Sequence, residues 1–252
     1  LVSQGYDMIV KFILLIVITP EYFGLFSATL LYSSISSMIA SAVNLSWAPL
    51  FFGNTKKWSN NNIYYDYVKI STSLIAIISC FLFVFWEELL PIYFGYLPEI
   101  STIFVALLCI SSWMASIVWT GFTNPIFEKG LTIKLMNIAI KALIILSPFA
   151  YYLIINFDLL GTSISLLSYS ILICYLSSSY LRELNIIEIP IIEIIRTFIL
   201  MIIVIFLLYF DLYYLGGGKI FTKICIFSSF LFLILLPIYK EIPILIRRID
   251  NN

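Results

Sequence analysis

IIRTFILMIIVIFLLYFDLYY, residues Ile194–Tyr214, decides the fold class. From Thr197 to Phe210 it holds no charge and no Gly or Pro, and its apolar residues do not alternate with polar ones. About 20 mostly apolar residues make a helix that crosses a bilayer. A strand of a membrane barrel would alternate over about ten residues. Helix is therefore the reading here, and seven further segments repeat it: Ser3–Thr19, Leu25–Trp47, Tyr67–Trp86, Ile100–Trp119, Leu135–Ile155, Leu160–Leu181 and Ile220–Tyr239. Turn signals separate them: Pro20, Gly53-Asn54, Pro91 and Pro98 around Gly95, Gly121 to Gly130, Asp158 to Gly161, and Gly216-Gly217-Gly218. The expectation is an all-α, polytopic membrane protein of about eight transmembrane helices.

Composition agrees. Of 252 residues, 62% are hydrophobic and only 11% charged, with mean hydropathy +1.07. A water-soluble domain carries roughly 25% charged residues, so lipid is the solvent for most of this chain. Net charge is zero and no Lys/Arg stripe exists, which argues against a nucleic-acid partner. There is no histidine, which removes the commonest general base and a common metal ligand. The four cysteines, Cys80, Cys109, Cys174 and Cys225, fall singly inside apolar runs and read as buried thiols. No GxSxG, no acidic metal cluster and no GxxxxGK[ST] loop occurs, so neither enzyme chemistry nor a cofactor is expected.

Cations follow the short loops. With the first connection outside, Lys56, Lys57, Lys69, Lys129, Lys134, Lys141, Arg182, Arg196, Lys240, Arg247 and Arg248 all lie on the inner side. Only Lys219 and Lys223 fall outside, where the other charges are Glu21, Glu87, Glu88, Glu99 and Asp158. The positive-inside rule then places both termini in the cytoplasm. Residues Arg182–Arg196, with Ile between spaced Glu, read as an amphipathic interfacial helix that turns at Pro190. Trp47, Trp86 and Trp119 read as an interfacial belt at span ends. The start at Leu1 suggests a piece of a longer protein.

Polar groups inside the spans are the candidate site. Asp7 and Lys11 are four residues apart on one helix face. Ionisable groups in a membrane usually face a cavity or a partner. The pair reads either as a cavity charge for an anionic substrate or as a self-neutralising pair with Lys11 snorkelling. Ser33, Ser37, Ser41 and Asn44 form a stripe that either packs helix on helix or lines a wet cavity. Lys141 reads as a snorkelling anchor or a substrate contact. Pro49 and Pro148 are candidate bends, because each lacks an N–H.

The order of motifs resembles a known family. SQGYDMIVKFIL is followed by TPEYFGLFSATLLYSS, SWAPLFF, LPIYFGYLPEIS and LLGTSISLL. This resembles the C-terminal half of the Wzx-type O-antigen flippases, the polysaccharide-exporting branch of the multidrug/oligosaccharidyl-lipid/polysaccharide exporter superfamily. The matching positions are Gly24, Phe26, Ser27 and Ala28; Trp47, Pro49 and Phe52; and Pro91, Phe94, Gly95 and Tyr96. Phe26 stands where the family usually has Tyr, and Thr162 and Ser163 stand where Ala is common. The resemblance covers most of the first 185 residues.

It implies residues 1–185 as a six-helix lobe, and 186–252 as an interfacial segment, two extra transmembrane helices and a cytoplasmic tail. It further implies a missing N-terminal lobe as partner and a bacterial inner membrane. The substrate would be an undecaprenyl-diphosphate-linked oligosaccharide, flipped for surface polysaccharide synthesis by alternating access, with polysaccharide polymerase machinery as a further partner. Lys11 would be the cavity cation. The alternatives are a multidrug/cation antiporter, which would bury more acids than Asp7 alone, and a membrane-bound glycan polymerase or ligase, which would carry a large external loop with Arg or His.

Overall fold

A computed structural model describes residues 2–53, 61–95, 100–128, 130–183, 190–214 and 220–239. Lys56, Lys57, Pro98, Lys129, Gly216–Gly218, Lys219, Lys240, Arg247 and Arg248 lie outside the described residues, as does most of the proposed interfacial segment. The elements are α1 (Val2–Val17), α2 (Pro20–Ser33), α3 (Ile35–Gly53), α4 (Asn61–Val84), α5 (Trp86–Phe94), α6 (Thr102–Ile117), a π-turn (Val118–Phe122), α7 (Thr123–Glu128), α8 (Thr132–Glu183), α9 (Ile191–Tyr214) and α10 (Ile220–Tyr239). No strand occurs among the described residues. The architecture is all-α and polytopic.

Among the described residues, six stretches are long and apolar enough to cross a membrane: Pro20–Trp47, Tyr64–Val84, Thr102–Ile126, Thr132–Glu183, Ile191–Asp211 and Ile220–Tyr239. The 52 residues of α8 would run about 78 Å if straight, more than twice the hydrocarbon core. They do not run straight. Asp158 takes φ 49° and ψ −124°, and a Cβ on Gly161 would strike the backbone carbonyl of Leu153. Two limbs, 132–157 and 159–183, therefore fold against each other, as the Asp158–Gly161 turn signal predicts. With the 16-residue α1, each of the eight predicted segments is helical.

Several boundaries differ from expectation. The second segment begins at Pro20 rather than Leu25, because proline at the first helical position costs no hydrogen bond. LPIYFGYLPEIS is not all loop: α5 runs through Pro91 and ends at Gly95, whose φ of 72° gives a left-handed C-cap. Gly121 does not break its helix but sits within the π-turn. Pro49 does not end α3, which continues to Gly53. Pro148 lies inside the first limb of α8, whose break falls at Asp158 as predicted.

α6 is the central helix. It buries eleven of its sixteen residues, as an all-round apolar helix in a bundle must, and packs against α2, α3, α4, α8 and α9. Hydroxyls and one indole tie it down: Ser36 Oγ to Ser112 Oγ at 2.9 Å, Ser111 to Ser170 at 3.1 Å, and Trp113 Nε1 donating to the Thr72 carbonyl at 3.0 Å. Cys80, Cys109 and Cys174 are buried as expected, whereas Cys225 is exposed on α10.

Two ion clusters mark opposite ends of α9 and α10. Lys69 Nζ lies 3.0 Å from Glu193, which also meets Arg196 at 2.9 Å. Lys69 and Arg196 both belong to the end assigned to the cytoplasm. At the other end, Lys223 is buried between Glu87 (2.6 Å) and Glu88 (2.8 Å). The cation that departs from the loop charge pattern is thus held by the acids of the same end.

Candidate functional site

The central cavity is built on α1, α2, α3, α6 and the second limb of α8. Tyr6 fixes α1 in place. It is fully buried, stacks on Tyr169 with centroids 4.0 Å apart, and donates to the Ser165 carbonyl at 3.4 Å. The next residue, Asp7, and Lys11 one turn on then line a cavity of ≈390 Å³. Ser27, Ser33, Ser34 and Ser37 face it from α2 and α3, Ser111 and Ser112 from α6, and Tyr169 and Ser170 from α8.

The π-turn closes one side. Thr123 Oγ1 donates to the Val118 carbonyl at 2.6 Å, and the Tyr64 hydroxyl takes the Gly121 carbonyl. A side chain at 121 would press on Val68, whose Cγ1 lies 3.2 Å from where a Cβ would stand. The widened turn presents Val118 and Trp119 to the cavity. Such turns occur frequently at functional sites.

Asp7 and Lys11 share the cavity without closing an ion pair, and neither makes a hydrogen bond among the described residues. Most of the serine hydroxyls instead satisfy themselves on backbone: Ser33 on Leu30, Ser34 on Leu31 and Ser37 on Ser34. Their oxygens keep acceptor capacity towards the cavity. The arrangement is one cation and one anion over a hydroxylated wall, with indole and phenol rings at its edge. It can bind a charged, hydroxylated group; among the described residues it holds no cluster of metal-ligating side chains.

Of the candidate residues, the fold brings Asp7, Lys11 and Ser37 together. Ser41 is one turn beyond, exposed, and donates to the Ser37 carbonyl. Asn44 does not line the cavity: its Oδ1 accepts from Asn124 Nδ2 at 2.6 Å, which ties α3 to α7. Lys141 is exposed on the first limb of α8, and neither it nor Pro148 lines the cavity, while the side chain of Pro49 lies outside the described residues. Trp86 is buried in the bundle, and Trp119, 41% exposed, lines the cavity. Ser111, Ser112, Tyr169 and Ser170 were not singled out in sequence. Their separation from Asp7 by more than 100 positions hides them, since isolated serines in apolar runs carry no spacing signal.

Comparison of the chain with protein-family models, with curated proteins and with solved structures finds no match.

Proposed function

We propose that this chain is part of a membrane transporter that moves an anionic, lipid-linked oligosaccharide between leaflets, with Lys11 meeting the charged linkage and the serine wall meeting hydroxyls. The observation that carries the reading is the Asp7–Lys11 couple, close enough to interact but not closed into a salt bridge, in a hydroxyl-lined cavity. A charge at the bilayer centre costs about 2.5–3.5 kcal/mol even on insertion scales. Such a couple, facing a cavity, suits a ligand that competes for one of its charges. The motif resemblance adds the substrate class, an undecaprenyl-diphosphate-linked glycan. With it come the bacterial inner membrane, cytoplasmic termini, a first lobe completing the cavity, and a polymerase downstream. The loop charges support that orientation.

The test is reconstitution of the full-length protein with a lipid-linked glycan, following lectin-accessible sugar. Lys11→Ala is expected to lower translocation by about tenfold or more, as loss of ~1.4 kcal/mol of charge-assisted binding would. Unchanged translocation at normal protein abundance would refute the role of Lys11. A cation antiporter is the second reading, favoured by Asp7 in the same cavity. It predicts that Asp7→Asn, rather than Lys11→Ala, abolishes transport.

A further inference from the structure

A second cavity, also of ≈390 Å³, lies at the end of the bundle formed by the first, third and fifth connections. It is lined by α1, α2, α6 and the Asp158 break, and so continues the seam that holds the central cavity. Steps of three or four residues stay on one helix face. On α1 that face runs from Lys11 in the central cavity through Leu14 to Ile18 in the second. On α2 it runs from Tyr22 in the second cavity through Phe26 to Leu30 in the first. On α6 Phe104 lines the second and Leu108 the first. Leu14 and Phe26 are 0% exposed and Phe104 is 1% exposed. On α6 a single helical turn, about 5.4 Å, separates the two spaces, and on α1 and α2 between one and two turns do; on these three helices the intervening residues are apolar. On the fourth, Thr162, Ser163 and Ser165 are buried in this layer and turn their hydroxyls back to the carbonyls of Asp158, Leu160 and Thr162.

The second cavity is polar enough to receive a hydroxylated group. Thr19 and Ser101 occupy N-cap positions of α2 and α6, yet neither side chain caps its helix. Their hydroxyls and the exposed Asp158 carboxylate make no hydrogen bond among the described residues, and Tyr22 is half exposed beside them.

We propose that the second cavity is an exit vestibule for the polar headgroup of the transported amphiphile, closed from the central cavity by an apolar plug of Leu14, Phe26 and Phe104. An unhydrated hydroxyl or charge cannot cross such a layer cheaply, and apolar constrictions close pores by excluding water. Small separation of α1 and α2 from α6 opens the layer and joins the spaces. The inference rests on the transport reading, but its test needs no substrate.

The full-length protein in intact cells carries Cys225→Ser, which removes the exposed thiol, with Thr19→Cys or Ser27→Cys as reporter. A membrane-impermeant maleimide is added outside. Thr19→Cys is expected to label rapidly and Ser27→Cys slowly. Adding Phe26→Ala or, separately, Leu14→Ala raises the Ser27→Cys rate by roughly tenfold, which corresponds to ~1.4 kcal/mol of plug stability, and leaves Thr19→Cys unchanged. Phe26→Trp, which fills the layer, lowers the Ser27→Cys rate. The proposal is overturned if Thr19→Cys stays unlabelled from outside, or if Ser27→Cys labels at the same rate in all folded plug variants. Reconstituted full-length protein that exposes no lectin-accessible sugar above empty vesicles would end the transport reading while leaving the plug result standing, so the two failures are distinguishable.

Discussion

Replacing Lys223 with Met keeps the side chain's length and deletes its charge, and the consequence can be worked from the cluster it leaves. Lys223 is 3% exposed, and its Nζ contacts Glu87 at 2.6 Å and Glu88 at 2.8 Å. At an effective dielectric of about 20 each contact is worth roughly 6 kcal/mol gross, most of which offsets desolvation. Removing one partner of a fully buried pair costs about 3–5 kcal/mol. The two glutamate side chains keep 28% and 32% exposure, so water recovers part of that, and the expected loss is about 2–3 kcal/mol. Unfolding in mixed micelles, followed by tryptophan fluorescence, is a suitable assay, because buried Trp86 directly precedes Glu87. The triple variant Glu87→Gln, Glu88→Gln, Lys223→Met strands no charge and should return to within about 1 kcal/mol of the parent. If Lys223→Met and the triple variant prove equally stable, the ion cluster does not hold α10 to α5.

Three further outcomes follow from close contacts. Gly161→Ala puts a Cβ against the Leu153 carbonyl and within 3.1 Å of the Ile154 nitrogen; the limbs of α8 must separate, and we expect more than about 3 kcal/mol of destabilisation in the same micelle assay. Asp158→Gly relieves a positive φ of 49° and should stabilise by roughly 0.5–1 kcal/mol, seen as a raised midpoint. A double-mutant cycle with Asn44→Ala and Asn124→Ala should give a coupling of about 0.6–1.7 kcal/mol, and additive single effects would deny the α3–α7 tie.

How much of the site was legible depended on chain separation. Asp7 and Lys11 stood out because two charges in one apolar run have few innocent explanations, and their spacing of four fixes a shared face whatever surrounds it. Ser37 belonged to a stripe whose period is local, but the stripe's destination was not. Its upper members meet the cavity, while Asn44 meets Asn124, eighty positions away. Nothing within α3 could distinguish those fates, because both are polar groups on the same face. Trp119, near a predicted span end, lies in the π-turn that carries the helix past Gly121, and its indole stands in the cavity wall, a placement its position in the chain does not reveal.

The sequence by itself determined the all-α, membrane-type architecture and nearly every helix, because backbone hydrogen bonds that lipid cannot replace force each apolar run to satisfy itself locally. It also determined which charges lie near helix ends. Only the tertiary structure decided which polar groups share a space. Tyr6 stacking on Tyr169, the fold at Asp158 and the packing around α6 bring together serines from helices far apart in the chain. The same packing seats Lys223 between two glutamates. A hydroxyl's partner across a bundle is set by register and rotation between helices, and those depend on the shapes of all the packed side chains at once.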